Sequence, residues 1–276
     1  MSFFGKIESS LGIDIGAGGI KLVELRKTKG RPQLWTYALV DEMLDIHTLQ
    51  KEETNSAPGT EGQKNIEAKA TLKDAKGTPT APADSRVQKY AQLLKLAVEQ
   101  ARVESRRATA SLPVSAVFHA VITLPKVPER EIEHHVMAKA KKILPRPIEE
   151  MQVVHQALPA DPKSKEDDIR VLVTAAPKTL IQFYTQIFQA AGLQLEELET
   201  EAFALERALV GRDKATAMIV DIGSERTNFF IIDEGLPMTH RSIQLGGQAF
   251  NAVLAQYTGI DPALIDTVKA DVSRIS

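Results

Sequence analysis

LGIDIGAGGIKLVEL, residues 11 to 25, places Asp14 at the end of an alternating apolar run and follows it with Ile15, Gly16, Ala17, Gly18 and Gly19. The alternation before the acid and the run IKLVEL after it predict two strands joined by a turn almost free of side chains. Such a turn lets successive backbone N–H groups approach an anion, because no Cβ intervenes and positive φ is cheap. A carboxylate beside it repels a bare phosphate but suits Mg²⁺, which keeps much of its water and joins one or two carboxylates to phosphate oxygens.

Two rival phosphate motifs fail on spacing. No Gly-Lys-Ser/Thr sequence occurs anywhere in the chain, so there is no P-loop. A dinucleotide fingerprint starting at Gly16 requires glycine at position 21, which is Lys21, and a helix where IKLVEL reads as a strand. A plain β-hairpin whose glycines serve only the turn is the remaining alternative. A second copy weighs against it: IVDIGSERTNFFII, residues 219 to 232, repeats Asp-Ile-Gly between apolar runs and supplies Asp221, Gly223 and Ser224.

Around these hairpins the composition is that of a globular protein with a sizeable core. Of the 276 residues 43% are hydrophobic and 25% charged, and 34 basic against 36 acidic residues leave no field that favours nucleic acid. The absence of cysteine removes disulfides, thiolate metal sites and thiol nucleophiles together. The first residues, MSFFGKIESS, have no apolar run suited to a signal peptide, although Phe3, Phe4 and Ile7 form a weak interfacial anchor at most. No segment reaches the ~20 apolar residues of a membrane span.

Residues 51 to 85 are rich in Lys, Glu, Thr, Pro and Gly, contain no aromatic residue, and read as a disordered insert. PQLWTYALV predicts a third strand before it. After it, VQKYAQLLKLAVEQARV sets Tyr90, Leu93, Leu94, Ala97 and Val98 on one helical face. TASLP, VFHAVITLP, EMQVVHQAL and DIRVLVTAA read as strands, with a helix from PEREIEHHVMAKAKKIL opened by Pro128 and first-turn acids. His134 and His135 are adjacent, point to different faces of that helix and make a poor metal pair. From Pro177 the order is helix, strand, short helix, a meander of three strands and a helix closed by Gly259.

Taken together these motifs resemble the actin/Hsp70/FtsA superfamily, and within it the PilM family of type IV pilus assembly. GIDIGAGGIK is similar to the first phosphate motif and VDIGSERTNFFII to the second. LETEAFALERAL is similar to the segment connecting the halves, and RSIQLGGQAF to a Gly-Gly turn that opens a helix. The PilM likeness rests on LPVSAVFHAVITLP, ILPRPIEEMQVVHQAL and VLVTAAPKTLIQFYTQIFQAAGLQLEELETEAFAL in that order.

What the resemblance implies is an α/β actin-like ATPase fold. A first lobe would take residues 1–210, with its core at 1–50 and 171–210 and an inserted subdomain of two strands and a helix at about 104–170. A second lobe would begin at 211–276. It implies ATP and Mg²⁺ as cofactors, with Asp14 and Asp221 around the metal mostly through water. The phosphates would lie on Gly16, Ala17, Gly18, Gly19, Gly223, Ser224 and Glu225, with Lys21 adding charge, Thr227 a hydroxyl, and Gly246 and Gly247 the next turn. Glu201 would orient a water or the metal shell; the alternative is an acid stabilised at a helix start by ~0.3 to 1 kcal/mol.

The implied role is a cytoplasmic ATP-binding scaffold, peripheral to the inner membrane, that recruits the N-terminal tail of a PilN-like protein and self-associates, with hydrolysis slow or secondary. A phosphotransferase of the same fold and an FtsA-like division protein are the alternatives. Two departures stand out. Ala17, Gly18 and Gly19 occupy positions where PilM-like hairpins commonly carry serines, and Arg226 replaces a small hydroxyl residue. The chain stops at DPALIDTVKADVSRIS, before the family's Gly-rich adenosine motif, which implies a fragment or a shortened protein that binds nucleotide poorly.

Overall fold

The computed structural model describes residues 9–28, 30–45, 85–159 and 168–271. Residues 51–84 of the expected disordered insert, the Phe3, Phe4 and Ile7 segment and the last five residues lie outside the described part.

Three strands open the chain: β1 (Ser9–Gly16), β2 (Gly19–Thr28) and β3 (Arg31–Asp41). Helix α1 (Ser85–Gln100) follows, then β4 (Arg107–Leu112). They form a five-stranded mixed sheet in the order β3-β2-β1-β4-β8, where β8 is Gln194–Thr200. β1 pairs antiparallel with β2 and parallel with β4.

Alternation explains which face is buried. Leu11, Ile13 and Ile15 of β1 and Ile20 and Leu22 of β2 point to the same side. Helices α1 and α3 (Lys178–Ala190) cover that side with Tyr90, Leu94, Ala97 and Val98 and with Leu180, Phe183, Tyr184, Ile187 and Phe188. Tyr90 meets Phe183 edge-on, with ring centroids 5.6 Å apart. Each fully buried side chain of this size contributes about 1.5 to 3 kcal/mol over its exposed state.

The inward row of β2 ends in charge. Glu24 is fully buried and accepts hydrogen bonds from the backbone N–H groups of Glu104 (3.0 Å) and Ser105 (3.1 Å), fastening the chain that leaves α1. Arg26 pairs with Glu104 and lies over the Trp35 ring, 3.4 Å from its centroid.

The second sheet holds β5 (Phe118–Pro125), β6 (Met151–Ala157) and β7 (Asp168–Pro177) in the order β5-β7-β6, both pairings antiparallel. Helix α2 (Glu129–Ile143) buries Val136 and Ala140 against it and carries Glu129 and Glu131 in its first turn, Lys141 and Lys142 in its last. This corrects the expected insert of two strands beginning near residue 104. The strand at 107–112 finds its partners in β1 and β8, while Val171 and Val173 make β7 the buried centre of a three-stranded sheet.

Helix α4 (Glu201–Leu205) follows β8 and passes into a π turn at Glu206–Val210. β9 (Ala217–Ile222), β10 (Thr227–Asp233) and β11 (Leu236–Ile243) then form an antiparallel meander. Phe230 and Ile232 of β10 pack on Val114 and Ala202, which joins the meander to the earlier sheets. Helices α5 (Gly247–Thr258) and α6 (Ile265–Ala270) complete the described chain. No helix among the described residues is long and apolar enough to cross a membrane.

Candidate nucleotide cleft

Register holds Asp14 from both sides. Lys21 is its antiparallel partner on β2, with Nζ 3.5 Å from Oδ2, and Ser111 is its parallel partner on β4, donating its hydroxyl to Oδ1 at 2.9 Å. The turn after it packs tightly on β3: Gly19 has φ +135°, and a Cβ there would lie 1.9 Å from the Val40 carbonyl oxygen. Leu44 N–H donates to the Ala17 carbonyl at 2.9 Å and ties the next segment to the turn.

The second hairpin follows the same plan with different partners. Asn228, opposite Asp221 on β10, donates its amide to Oδ2 at 3.2 Å, and Ser242 on β11 donates to the Asn228 side-chain oxygen at 2.7 Å. The turn closes when Gly223 N–H donates to the Arg226 carbonyl at 2.9 Å.

Gly247 and Gln248, the first residues of α5, donate their backbone N–H groups to the carbonyls of Gly223 and Ser224, both at 2.9 Å. The approach admits no side chain at Gly246, where a Cβ would lie 2.5 Å from the Ser224 oxygen and 2.6 Å from the Gly223 oxygen. Thr227 is buried and donates its hydroxyl to the Leu245 carbonyl at 2.6 Å. Gly246 and Thr227 therefore secure the corner behind the turn and do not line the cleft, whereas Gly247 does.

Glu201 supplies a third carboxylate from the start of α4. Its Oε2 accepts a hydrogen bond from Val114 N–H at 3.0 Å. Burial pushes its carboxyl up to about 7, the Val114 hydrogen bond opposes the shift, and repulsion from Asp14 and Asp221 adds to it. The Val114 backbone also hydrogen-bonds His240, whose ring stands edge-on to His119 at 5.3 Å. Burial, with His240 alongside, lowers His119 to about 4.

These elements enclose a cleft of about 690 Å³, lined by Asp14, Gly16, Ala17, Gly18, Gly19, Lys21, Glu201, Asp221, Gly223, Ser224 and Gly247. The hairpin tips touch across it, since a Cβ on Gly18 would come within 3.0 Å of the Ser224 Cβ. Gln248 ties the second tip to the segment after β3, its side-chain amide donating to the Ser224 hydroxyl oxygen at 3.2 Å and to the Met43 sulfur at 3.4 Å. On the outer wall Lys269 donates to Asn251 at 2.8 Å, and Asn251 donates to Asp266 at 2.9 Å.

The residues fit a phosphate with a hydrated cation. Arg226 lines the cleft and has a buried Nε with no hydrogen-bond partner, an unmet donor for an anion. Among the described residues no three His, Asp or Glu side chains converge closely enough to hold a metal by themselves. Two carboxylates beside a turn rich in N–H donors suit an ion that brings its own water and phosphate.

Sequence reasoning missed Ser111, Asn228, Gln248, Asn251, Asp266 and Lys269 as cleft residues. Their roles depend on strand pairing and helix docking, which leave no local pattern.

Glu201 gives a pH prediction for the metal-free protein. Its folded-state pKa lies above the ordinary 4.5, so the folded form holds the proton longer, and stability present below pH 4.5 is lost as pH rises toward about 7. Glu201→Gln is expected to flatten that slope in EDTA and to stabilise the protein at pH 8 by on the order of 2 to 3 kcal/mol in urea titrations. An unchanged slope would mean that the carboxyl is not strained in the fold.

A family model described as type IV pilus assembly protein PilM matches residues 56–272, a range that starts after the first hairpin. Among solved structures, the PilM–PilN type IV pilus biogenesis complex superposes with a TM-score of 0.68 at 24% identity, over 96% of this chain and 70% of that one. The ethanolamine utilization protein EutJ from Carboxydothermus hydrogenoformans gives a TM-score of 0.50 at 17% identity, over 97% of this chain and 63% of that one. The fold is the actin-like ATPase fold that the resemblance implied. With most of its length matched by the family model, the chain belongs to the family of the type IV pilus assembly protein PilM.

Proposed function

We propose that the chain is a nucleotide-binding scaffold of type IV pilus assembly, taking Mg²⁺ and ATP in the cleft and a PilN-like tail in a separate groove. The observation that carries the nucleotide reading is the convergence of two acid-tipped hairpins, from different sheets, on one cleft with their tips in contact. In this reading Asp14 and Asp221 hold the hydrated metal. Backbone N–H groups of Gly16, Ala17, Gly18, Gly19, Ser224 and Glu225 meet phosphate oxygens, Gly223 closes the second turn behind them, and Lys21 and Arg226 add positive charge. Glu201 orients the attacking water, with hydrolysis slow relative to the scaffold role. A first lobe ending near residue 210 and a second from 211 belong to the same reading.

The partner site is a groove of about 420 Å³ between β6–β7 and β8–α4, walled by Leu112, Val117, Val154, Leu172, Ala176 and Phe203. β6 is an edge strand of its sheet, so an extended tail can pair with its backbone while apolar side chains enter the groove. The similarity to a PilM solved with PilN supports a tail of that kind as occupant. Docking to an inner-membrane partner would hold the protein at the cytoplasmic face of the membrane.

The test is anisotropy with a labelled peptide carrying the N-terminal tail of a PilN-like protein, with and without Mg²⁺ and ATP. Wild-type protein is expected to bind the peptide with an affinity that changes on adding nucleotide. Val154→Glu, which places a charge on an apolar wall, is expected to weaken it about tenfold or more. No binding rejects the adaptor role, and an unaffected Val154→Glu variant rejects this groove.

A further inference from the structure

Among the described residues, the edge of the five-stranded sheet is unusually bare. β3 is its last strand, and from Leu34 to Val40 it carries no charged residue. Natural edge strands are ordinarily blunted by charges or proline because their open N–H and C=O groups template further pairing. Here Pro32 and Arg31 stand only at one end and Asp41 at the other.

The outer face beside this edge is apolar. Leu34, Tyr37 and Leu39 are exposed by 60%, 69% and 64%, and Val23 and Leu25, opposite Tyr37 and Leu34 on β2, by 41% and 37%. The inward row is spent on the core: Ala38 and Val40 pack against it, and Thr36 donates its hydroxyl to the Ala101 carbonyl at 2.8 Å. The apolar outer row is thus not part of the packing that holds the sheet to α1.

We propose that β3 pairs antiparallel with β3 of a second copy of this chain, joining two five-stranded sheets across a two-fold axis through Tyr37. The strand is complementary to itself in that register. The bulge between Glu24 and Leu25 in the β2–β3 pairing makes Trp35 the extra residue, so on the outer face Tyr37 meets its own copy and Leu39 meets Leu34. Asp41 of one copy then lies opposite Pro32 and beside Arg31 of the other, once at each end, so the end charges that come together are of opposite sign. Ala38 faces Thr36 and Val40 faces Gln33 on the inner side, and every facing pair keeps its face. A symmetric contact of this kind closes on itself and leaves neither β3 edge open.

The absence of native cysteine makes the register directly testable. Facing residues of an antiparallel pair have Cα atoms about 4.5 to 5.5 Å apart, within disulfide reach. In the whole chain Tyr37→Cys is expected to give a disulfide-linked dimer on mild oxidation, while Met218→Cys, exposed on β9, stays monomeric. Sedimentation should show a concentration-dependent dimer that Arg31→Asp weakens and that the double exchange Arg31→Asp with Asp41→Arg restores.

A wild-type monomer at all concentrations, no cross-link at position 37, or failure of the double exchange to rescue would each overturn the pairing. The last of these would point to another occupant of the edge, such as residues 46–84 or an unrelated partner. Arg31 and Tyr37 do not line the cleft, so the cross-link and the Arg31→Asp result are independent of nucleotide binding; Asp41 does line it, so the double exchange is read by sedimentation alone.

Discussion

Asp14→Ala is expected to weaken magnesium-dependent ATP binding by about 10- to 100-fold in calorimetric titrations. Loss of a contact to a charged group in a partly enclosed site costs about 1.5 to 3 kcal/mol, and every 1.4 kcal/mol is tenfold. Asp14 sits where register focuses it, with Ser111 donating to one oxygen and Lys21 beside the other, so its removal takes away a carboxylate already aimed at the cleft. Folding should survive, because the Lys21 side chain is 66% exposed and water can replace its partner. Asn228→Ala, which frees Asp221 without removing it, should weaken binding less. An Asp14→Ala protein that binds nucleotide and magnesium as wild type would sink the assignment of the hairpin.

Gly19→Ala should be the most destabilising single methyl group in the first hairpin, by about 3 kcal/mol or more in urea denaturation. Two costs add. The residue stands at φ +135°, where an L side chain carries about 1 to 3 kcal/mol of strain, and its Cβ would lie 1.9 Å from the Val40 carbonyl oxygen. That oxygen belongs to β3 backbone and gives way only if the strand moves, an overpacking cost of about 1 to 3 kcal/mol. Gly30→Ala is the control: φ is +79° but nothing lies within 4 Å of the added Cβ, so only the strain of about 1 to 2 kcal/mol remains. Equal losses at the two positions would show that contact with β3 does not matter.

How much of this was legible in the sequence depends on how local the cause is. The first hairpin could be read from LGIDIGAGGIKLVEL because alternation, an acid and a glycine turn are all contained in fifteen residues, and the repeat at 219 to 232 gave its counterpart. The face of α1 likewise followed from helical spacing, with Leu93 of the expected row only partly buried.

What escaped was everything set by pairing across long separations. Ser111 meets Asp14 only because β4 lies parallel to β1, 97 positions away in sequence. Glu24 and Arg26 lie on the buried row of β2, where a carboxylate and a cation answer the chain leaving α1, and no local pattern marks them. Thr227 and Gly246 had the chemistry of a phosphate site and a different use, because sequence shows which group is present and not which way it faces.

The near contact of Gly18 with Ser224 also bears on the timing of events in the cleft. The Gln248 amide, donating to the Ser224 hydroxyl and the Met43 sulfur, further ties the second turn to the segment after β3. Under the proposed nucleotide reading, a phosphate tail entering between the tips would have to part them first. Under the same reading, that contact would also slow its departure.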